Sequence, residues 1–189
     1  MAAVNGREIE VKIKIDSIED IKKKLRKLGG KESERIFEDA EYFDFEDDRI
    51  KKKDSVIRLR NGVLAFKGPA RTSNMMDREE IEIKVDEKKM KEIFLKIGLK
   101  PRKVIQKYRT TFMFDNGKGE VVVDETPIGD YIEIEGTEEF IFSMTKKLGC
   151  TPKDHIVKTY GYLAREFYGA KGIKTDDGMR FLYAENKKP

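Results

Sequence analysis

From Glu8 to Ile15 the chain reads Glu-Ile-Glu-Val-Lys-Ile-Lys-Ile, charged and apolar residues in strict alternation. Successive side chains of a β-strand point to opposite faces, so Ile9, Val11, Ile13 and Ile15 share one face and Glu8, Glu10, Lys12 and Lys14 the other. A helix cannot separate these two sets, and the segment is therefore a strand with one apolar and one charged side. The separation recurs at Arg58 and Arg60 against Ile57 and Leu59, at Glu80, Glu82 and Lys84 against Ile81 and Ile83, and at Glu133 and Glu135 against Ile132 and Ile134. Lys107 and Arg109 also share a face. One such strand reads as a sheet surface in water. Five with signs sorted by strand do not, because like charges on one exposed face repel with nothing gained.

Other strands are expected at Ile36 to Phe45, Ser55 to Arg60, Val63 to Lys67, Arg78 to Val85, Val104 to Asp115, Glu120 to Asp124 and Asp130 to Glu135. Asn61-Gly62 is a strong two-residue hairpin turn, and Asn116-Gly117 and Pro127-Ile128-Gly129 supply two more turns. Apolar residues at three- and four-residue spacing predict amphipathic helices over Ile18 to Leu28, Asp86 to Ile97, Glu138 to Leu148 and Ile156 to Tyr168, each stopped by glycine. The basic, glycine-terminated helix recurs, which suggests a loose internal repeat. No Ser/Gly/Pro-rich linker interrupts the pattern. Residues 1–189 are accordingly expected to form one α+β domain: a closed antiparallel β-barrel of about eight strands with helices packed outside, and a weakly signalled tail from about residue 171.

Charged residues make up 40% of the chain, yet 40 basic and 36 acidic residues nearly cancel at a net +4. They are interspersed, whereas a simple polyanion-binding surface is lopsided, and no nucleic-acid recognition signature is present. Cys150 is the only cysteine, which excludes an intrachain disulfide and a Cys-rich zinc site. His155 is the only histidine, which excludes a His-rich metal site. It precedes a helix and reads as a capping or surface residue. No apolar run reaches membrane-span length and Met1 to Arg7 is too polar for a secretory leader, so a cytoplasmic address is expected.

Closing the sheet would turn every charged face into a tunnel and leave the apolar faces outside under the helices. Like charges are held together there only if a ligand compensates them. Clustered carboxylates favour a hard divalent cation, and Mg²⁺ prefers one or two carboxylates plus waters and phosphate oxygens. Clustered Lys and Arg favour phosphate. A polyphosphate carrying one or two metal ions satisfies both sets, and triphosphate is the natural candidate.

Glu8-Ile9-Glu10-Val11-Lys12 is a Glu-x-Glu-x-Lys motif on the first strand. It is followed in order by Tyr-Phe-Asp at 42–44, Val-Ile-Arg-Leu-Arg at 56–60, Phe-Lys-Gly-Pro at 66–69, Arg-Glu-Glu-Ile-Glu-Ile-Lys-Val from Arg78 and Lys-Tyr-Arg at 107–109. Asp-Glu-Thr-Pro-Ile-Gly-Asp-Tyr-Ile-Glu-Ile-Glu at 124–135 and Lys-Thr-Tyr-Gly-Tyr-Leu at 158–163 complete the set. This ordered set resembles the CYTH superfamily, the triphosphate tunnel metalloenzymes. The resemblance implies that Glu8, Glu10, Glu133 and Glu135 face metal, Mg²⁺ or Mn²⁺, with Asp124 nearby as ligand or base. It further implies that Lys12, Arg58, Arg60, Lys67, Lys84, Lys107, Arg109 and Lys158 contact the triphosphate.

Within that superfamily the chain looks most like the class IV adenylyl cyclases, which make cyclic AMP and pyrophosphate from ATP. An inorganic tripolyphosphatase, a thiamine or other organic triphosphatase, and a non-catalytic nucleotide or polyphosphate sensor remain as alternatives. The intact acidic residues argue against the sensor. Adenine recognition needs aromatic residues at the tunnel mouth; Phe43, Phe45, Phe66, Phe112 and Phe114 are candidates, with core packing the stronger reading for each. A homodimer is left open.

Overall fold

The computed structural model describes residues 6–71, 74–114, 119–176 and 178–181. The alternating segment forms β1, Arg7–Ile15. Val11 on its apolar side is 1% exposed and Lys12 on its charged side 3%, so both faces of the strand are covered, as closure requires. The remaining strands are β2 (Lys31–Glu32), β3 (Ile36–Asp44), β4 (Val56–Arg60), β5 (Val63–Lys67), β6 (Met76–Lys84), β7 (Lys100–Met113), β8 (Gly119–Thr126) and β9 (Gly129–Gly136). They pair in the order β7-β3-β4-β5-β6-β1-β9-β8, and β8 returns to β7, which closes an eight-stranded antiparallel barrel. Short β2 adds only to β7 at Phe112 and Met113.

Turn chemistry sets the register. Asn61 and Gly62 both take positive φ, 49° and 76°, which matches the twist of a tight β4–β5 hairpin. Gly119 faces Gly136 across β8 and β9; a Cβ at Gly119 would lie 2.3 Å from the Glu135 carbonyl oxygen, so the close approach admits only glycine. The turn expected at Asn116-Gly117 lies outside the described residues.

Four helices follow their sequence signals: α1 (Ile18–Lys27), α2 (Glu87–Lys96), α3 (Glu138–Leu148) and α4 (Tyr160–Gly169). Ser17, Asp86, Thr137 and Thr159 cap their N-termini by accepting from backbone N–H groups three residues on. α1 and α3 lay Leu25, Ile141, Met144 and Leu148 on Val11, Ile13, Val121, Val123, Ile132 and Ile134. Burying each Leu- or Ile-sized side chain contributes about 1.5–3 kcal/mol, so this outer layer is a principal source of barrel stability. α2 covers Phe43 and Leu59 through Phe94, and α4 packs Tyr160, Ala164 and Tyr168 against Ile105, Ile128 and Tyr131. The outer cover is incomplete at β6, where Ile81 and Ile83 stay about half exposed.

Two sequence expectations shift. α4 starts at Tyr160 rather than Ile156, because Ile156 is extended and exchanges backbone hydrogen bonds with Lys12 (2.7 and 3.3 Å). The weakly signalled tail is in part structural: fully buried Met179 donates to Val104 and accepts from Gln106 on β7. These two segments fill strand edges that the ladders leave open, since β6 pairs with β1 only as far as Glu10 and β8 with β7 only from Tyr108. No described helix is long and apolar enough to cross a membrane.

Candidate active site in a charged tunnel

The barrel encloses a cavity of about 760 Å³. Glu8, Glu10, Lys12, Arg58, Arg60, Lys67, Lys107, Arg109, Glu133 and Glu135, all read from the sequence as site residues, border it. Period-two alternation on closed strands is the reason: every second residue must face inward.

At one level the cations cluster. Lys12 lies 2.7 Å from Glu133 and 3.0 Å from Glu10, and Lys107 lies 2.8 Å from Asp124. Arg109 donates to both Asp124 oxygens and also to Glu133. Tyr160 of α4 donates its hydroxyl to Asp124 at 2.7 Å and lies under Lys12 and Lys107, whose Nζ atoms are 4.9 and 4.7 Å from its ring. Burial would lower the Lys12 ammonium pKa, but Glu10 and Glu133 outweigh it and raise it. Burial likewise would raise Glu133, yet Lys12, Lys107 and Arg109 hold it well below the usual carboxylate range.

Across the barrel, Arg60 donates to Glu38 at 3.0 Å and Arg58 to Glu82 at 2.7 Å. Glu38 is 4% exposed; burial alone would raise it, but Arg109, Lys107 and Arg60 bring it down to about 2. Lys67 donates to both oxygens of Glu8 and lies 3.2 Å from Glu80.

The acidic end is built from three adjacent strands, because Glu10, Glu135 and Glu120 are level neighbours on β1, β9 and β8. Burial, then Glu8, Glu120 and Glu10, pushes Glu135 up to about 8. Burial and Glu133 also raise Glu10, against the pull of Lys12. Carboxylates so placed fit a cation, which would remove the repulsion that raises them. Among the described residues no trio of acidic, His or Cys side chains converges closely enough to enclose a metal alone. That fits an ion taking one or two carboxylates and completing its shell with water and phosphate oxygens.

The mouth is shaped by Asp44, whose carboxylate accepts from the backbone N–H groups of Phe45, Ile50 and Lys51 and folds the following loop inward. Lys51, Arg102, Lys103 and Arg165 stand around this mouth with Tyr42 and Tyr162.

Other sequence-derived candidates are not gathered here. Asp124 has no exposed surface and lies behind the lining, with its oxygens taken by Lys107, Arg109 and Tyr160. Lys84 ends β6 exposed and beyond the cavity. Lys158 precedes α4 instead of lying on it, and pairs outside with Glu166 at 2.9 Å. Of the five phenylalanines only Phe43 borders the cavity; Phe112 and Phe114 are outer core. His155 bonds Thr145 and Cys150 packs against the outer core, both away from the lining. Sequence reasoning missed Glu38, Arg78 and Tyr160. Glu38 and Arg78 are legible as inward positions of their strands, since Glu38 alternates with Ala40 and Tyr42, and Arg78 with Glu80 and Glu82. Tyr160 carries no such signal, for its place depends on how α4 docks.

Comparison with known proteins follows the same lines. The model of the CYTH domain matches residues 6–160. A Methanocaldococcus jannaschii protein named "Putative adenylate cyclase" is 30% identical over 167 residues, covering 81% of this chain and 95% of that protein. The solved structure of the PH1819 protein of Pyrococcus horikoshii superposes with a TM-score of 0.70 at 23% identity, over 84% of this chain and 98% of that one. A Hippeastrum protein described as a "putative adenylyl cyclase" with a dominant triphosphatase activity superposes with a TM-score of 0.60 at 16% identity, over 92% of this chain and all of the other. The last two likenesses are of fold alone. With its Glu-x-Glu-x-Lys strand, its closed barrel and its inward charges, the chain belongs to the CYTH domain family.

Proposed function

We propose that this protein is a divalent-metal-dependent enzyme that breaks a phosphoanhydride bond of an organic triphosphate, ATP first, held in the tunnel. The observation that carries this is the interior itself: purely basic pairs at Arg58/Arg60 and Lys107/Arg109 share the cavity with Glu10 and Glu135, whose pKa values are raised by burial first and then by neighbouring carboxylates. A metal-bearing triphosphate compensates both. A cavity of about 760 Å³ is ample for an organic group beyond the phosphates.

CYTH proteins are in general metal-dependent. In this reading one or two of the carboxylates Glu8, Glu10 and Glu135 would hold Mg²⁺ or Mn²⁺, with water and phosphate oxygens completing the shell, and the ion when bound would supply Lewis-acid stabilisation of phosphoryl oxygens. Lys12, Lys107 and Arg109 orient the phosphate chain and neutralise charge that develops on the leaving group. Glu133 and Asp124 aim those cations, and Tyr160 closes the floor beneath them. Arg58, Arg60 and Lys67 exchange their present carboxylate partners for phosphate oxygens as ligand enters.

Cyclisation of ATP to cyclic AMP with release of pyrophosphate is the reaction we place first, by likeness to the named M. jannaschii relative. Triphosphate hydrolysis is the second reading. What favours it is the saturation of Asp124, which leaves that carboxylate no free oxygen to act as base toward a ribose hydroxyl. Phosphorus NMR of the protein with ATP and, separately, tripolyphosphate, each with Mg²⁺ or Mn²⁺, decides. Pyrophosphate with cyclic AMP supports the cyclase and orthophosphate the hydrolase; no turnover of either favours the sensor or a different triphosphate.

A further inference from the structure

We infer that Arg78 is the contact for a terminal phosphoryl group and so sets the length of polyphosphate the tunnel holds; the inference rests on the triphosphate reading above. Arg78 is 5% exposed and borders the cavity. Its Nε meets no acceptor, and its Nη2 points at the Met76 thioether sulfur, 3.0 Å away, a weak acceptor without charge. Lys12, Arg58, Arg60, Lys67, Lys107 and Arg109 each touch a carboxylate. Arg78, among the described residues, has none within ion-pair reach. Glu8 lies opposite it in the β1–β6 register, but both Glu8 oxygens are held by Lys67 at 2.7 and 2.6 Å.

A guanidinium buried without a counter-ion is costly, and packing alone would favour an apolar side chain of similar volume at this position. An anion that arrives as ligand removes the cost. Position then identifies the anion. Arg78 is level with Glu8, four residues along β1 from Lys12, or about 13 Å at strand rise. A ligand that reaches both the Lys12 cluster and Arg78 is a chain of phosphoryl groups, and a terminal phosphoryl group offers two oxygens to the guanidinium fork.

The test is calorimetric titration of wild type, Arg78→Met and Arg78→Lys with tripolyphosphate and with pyrophosphate, both with Mg²⁺, beside thermal melts without ligand. Arg78→Met is expected to weaken tripolyphosphate about 10- to 100-fold, the worth of a charge-assisted contact, and pyrophosphate by less than about threefold. Arg78→Lys should fall between. The ligand-free melting temperature of Arg78→Met should equal or exceed that of wild type, which a merely structural arginine would not allow. Unchanged tripolyphosphate affinity, equal losses for both ligands, or a lower ligand-free melting temperature would each overturn the inference. Wild type binding neither polyphosphate would remove the triphosphate reading as well, which separates the two failures.

Discussion

Arg109 and Asp124 stand directly opposite each other in the β7–β8 ladder and meet through two parallel bonds, Nε to Oδ1 at 2.7 Å and Nη2 to Oδ2 at 2.6 Å. The pair lies where the barrel closes on itself, so the same contact joins the sheet and aims the guanidinium. Asp124→Ala would leave Arg109, Lys107 and Tyr160 without their shared partner. Breaking a buried pair from one side costs about 3–5 kcal/mol, and denaturant unfolding should show a loss of that size. Asp124→Asn keeps the shape but not the charge and should fall between.

Acid should act through Glu38. Its pKa is lowered from 4.5 to about 2, so the unfolded chain takes up a proton before the folded one does. The resulting stability is present above about pH 4.5 and is lost as pH falls toward 2, on the order of 3 kcal/mol in all. Glu38→Gln should flatten that part of the pH–stability curve, measured by urea unfolding at a series of pH values. An unchanged slope would assign the acid sensitivity elsewhere.

Glu135 works in the opposite sense. With its pKa raised to about 8, the folded chain keeps a proton that the unfolded chain releases near pH 4.5, so metal-free stability declines across that window as pH rises. Mg²⁺ should raise the melting temperature more at about pH 8 than at pH 6, and Glu135→Gln should reduce both effects in a fluorimetric melt.

Catalysis should divide cleanly by position. Glu10→Ala and Arg109→Ala are expected to cut turnover of the active triphosphate at least about a hundredfold, the scale of a single electrostatic contact. Lys84→Ala and Lys158→Ala, on residues outside the cavity, should stay within about threefold of wild type in the same assay.

Much of this arrangement is legible in the alternation of single strands. Inward and outward sides follow from parity, so Glu8, Glu10, Lys12, Arg58, Arg60, Lys107, Arg109, Glu133 and Glu135 reach the cavity as read. Parity does not say how far along the barrel a residue sits, which is why Lys84, on the inward parity of β6, ends beyond the lining. It also does not distinguish a side chain that borders the space from one sealed behind it, as Asp124 is by its neighbours. Lys158 and Tyr160 depend on the docking of α4 against the end of the barrel, a relation between distant segments that no local pattern carries. The aromatic candidates went to packing because Phe112 and Phe114 share the apolar parity of β7 and its extension.

The edges filled by Ile156 and Met179 have a consequence for how the molecule is made. β1 emerges first but finds its long partner, β9, only after some 115 further residues, and its last free edge only at Ile156. β7 likewise waits for Met179. Contacts this distant in sequence make ring closure a slow, late event. Until then the charged faces of the strands lie open to water, where repulsion among Glu10, Glu135 and Glu120 is screened. Closure of the ring is thus what brings Glu10, Glu135 and Glu120 against one another, and a metal ion or phosphate present at that moment is expected to favour it.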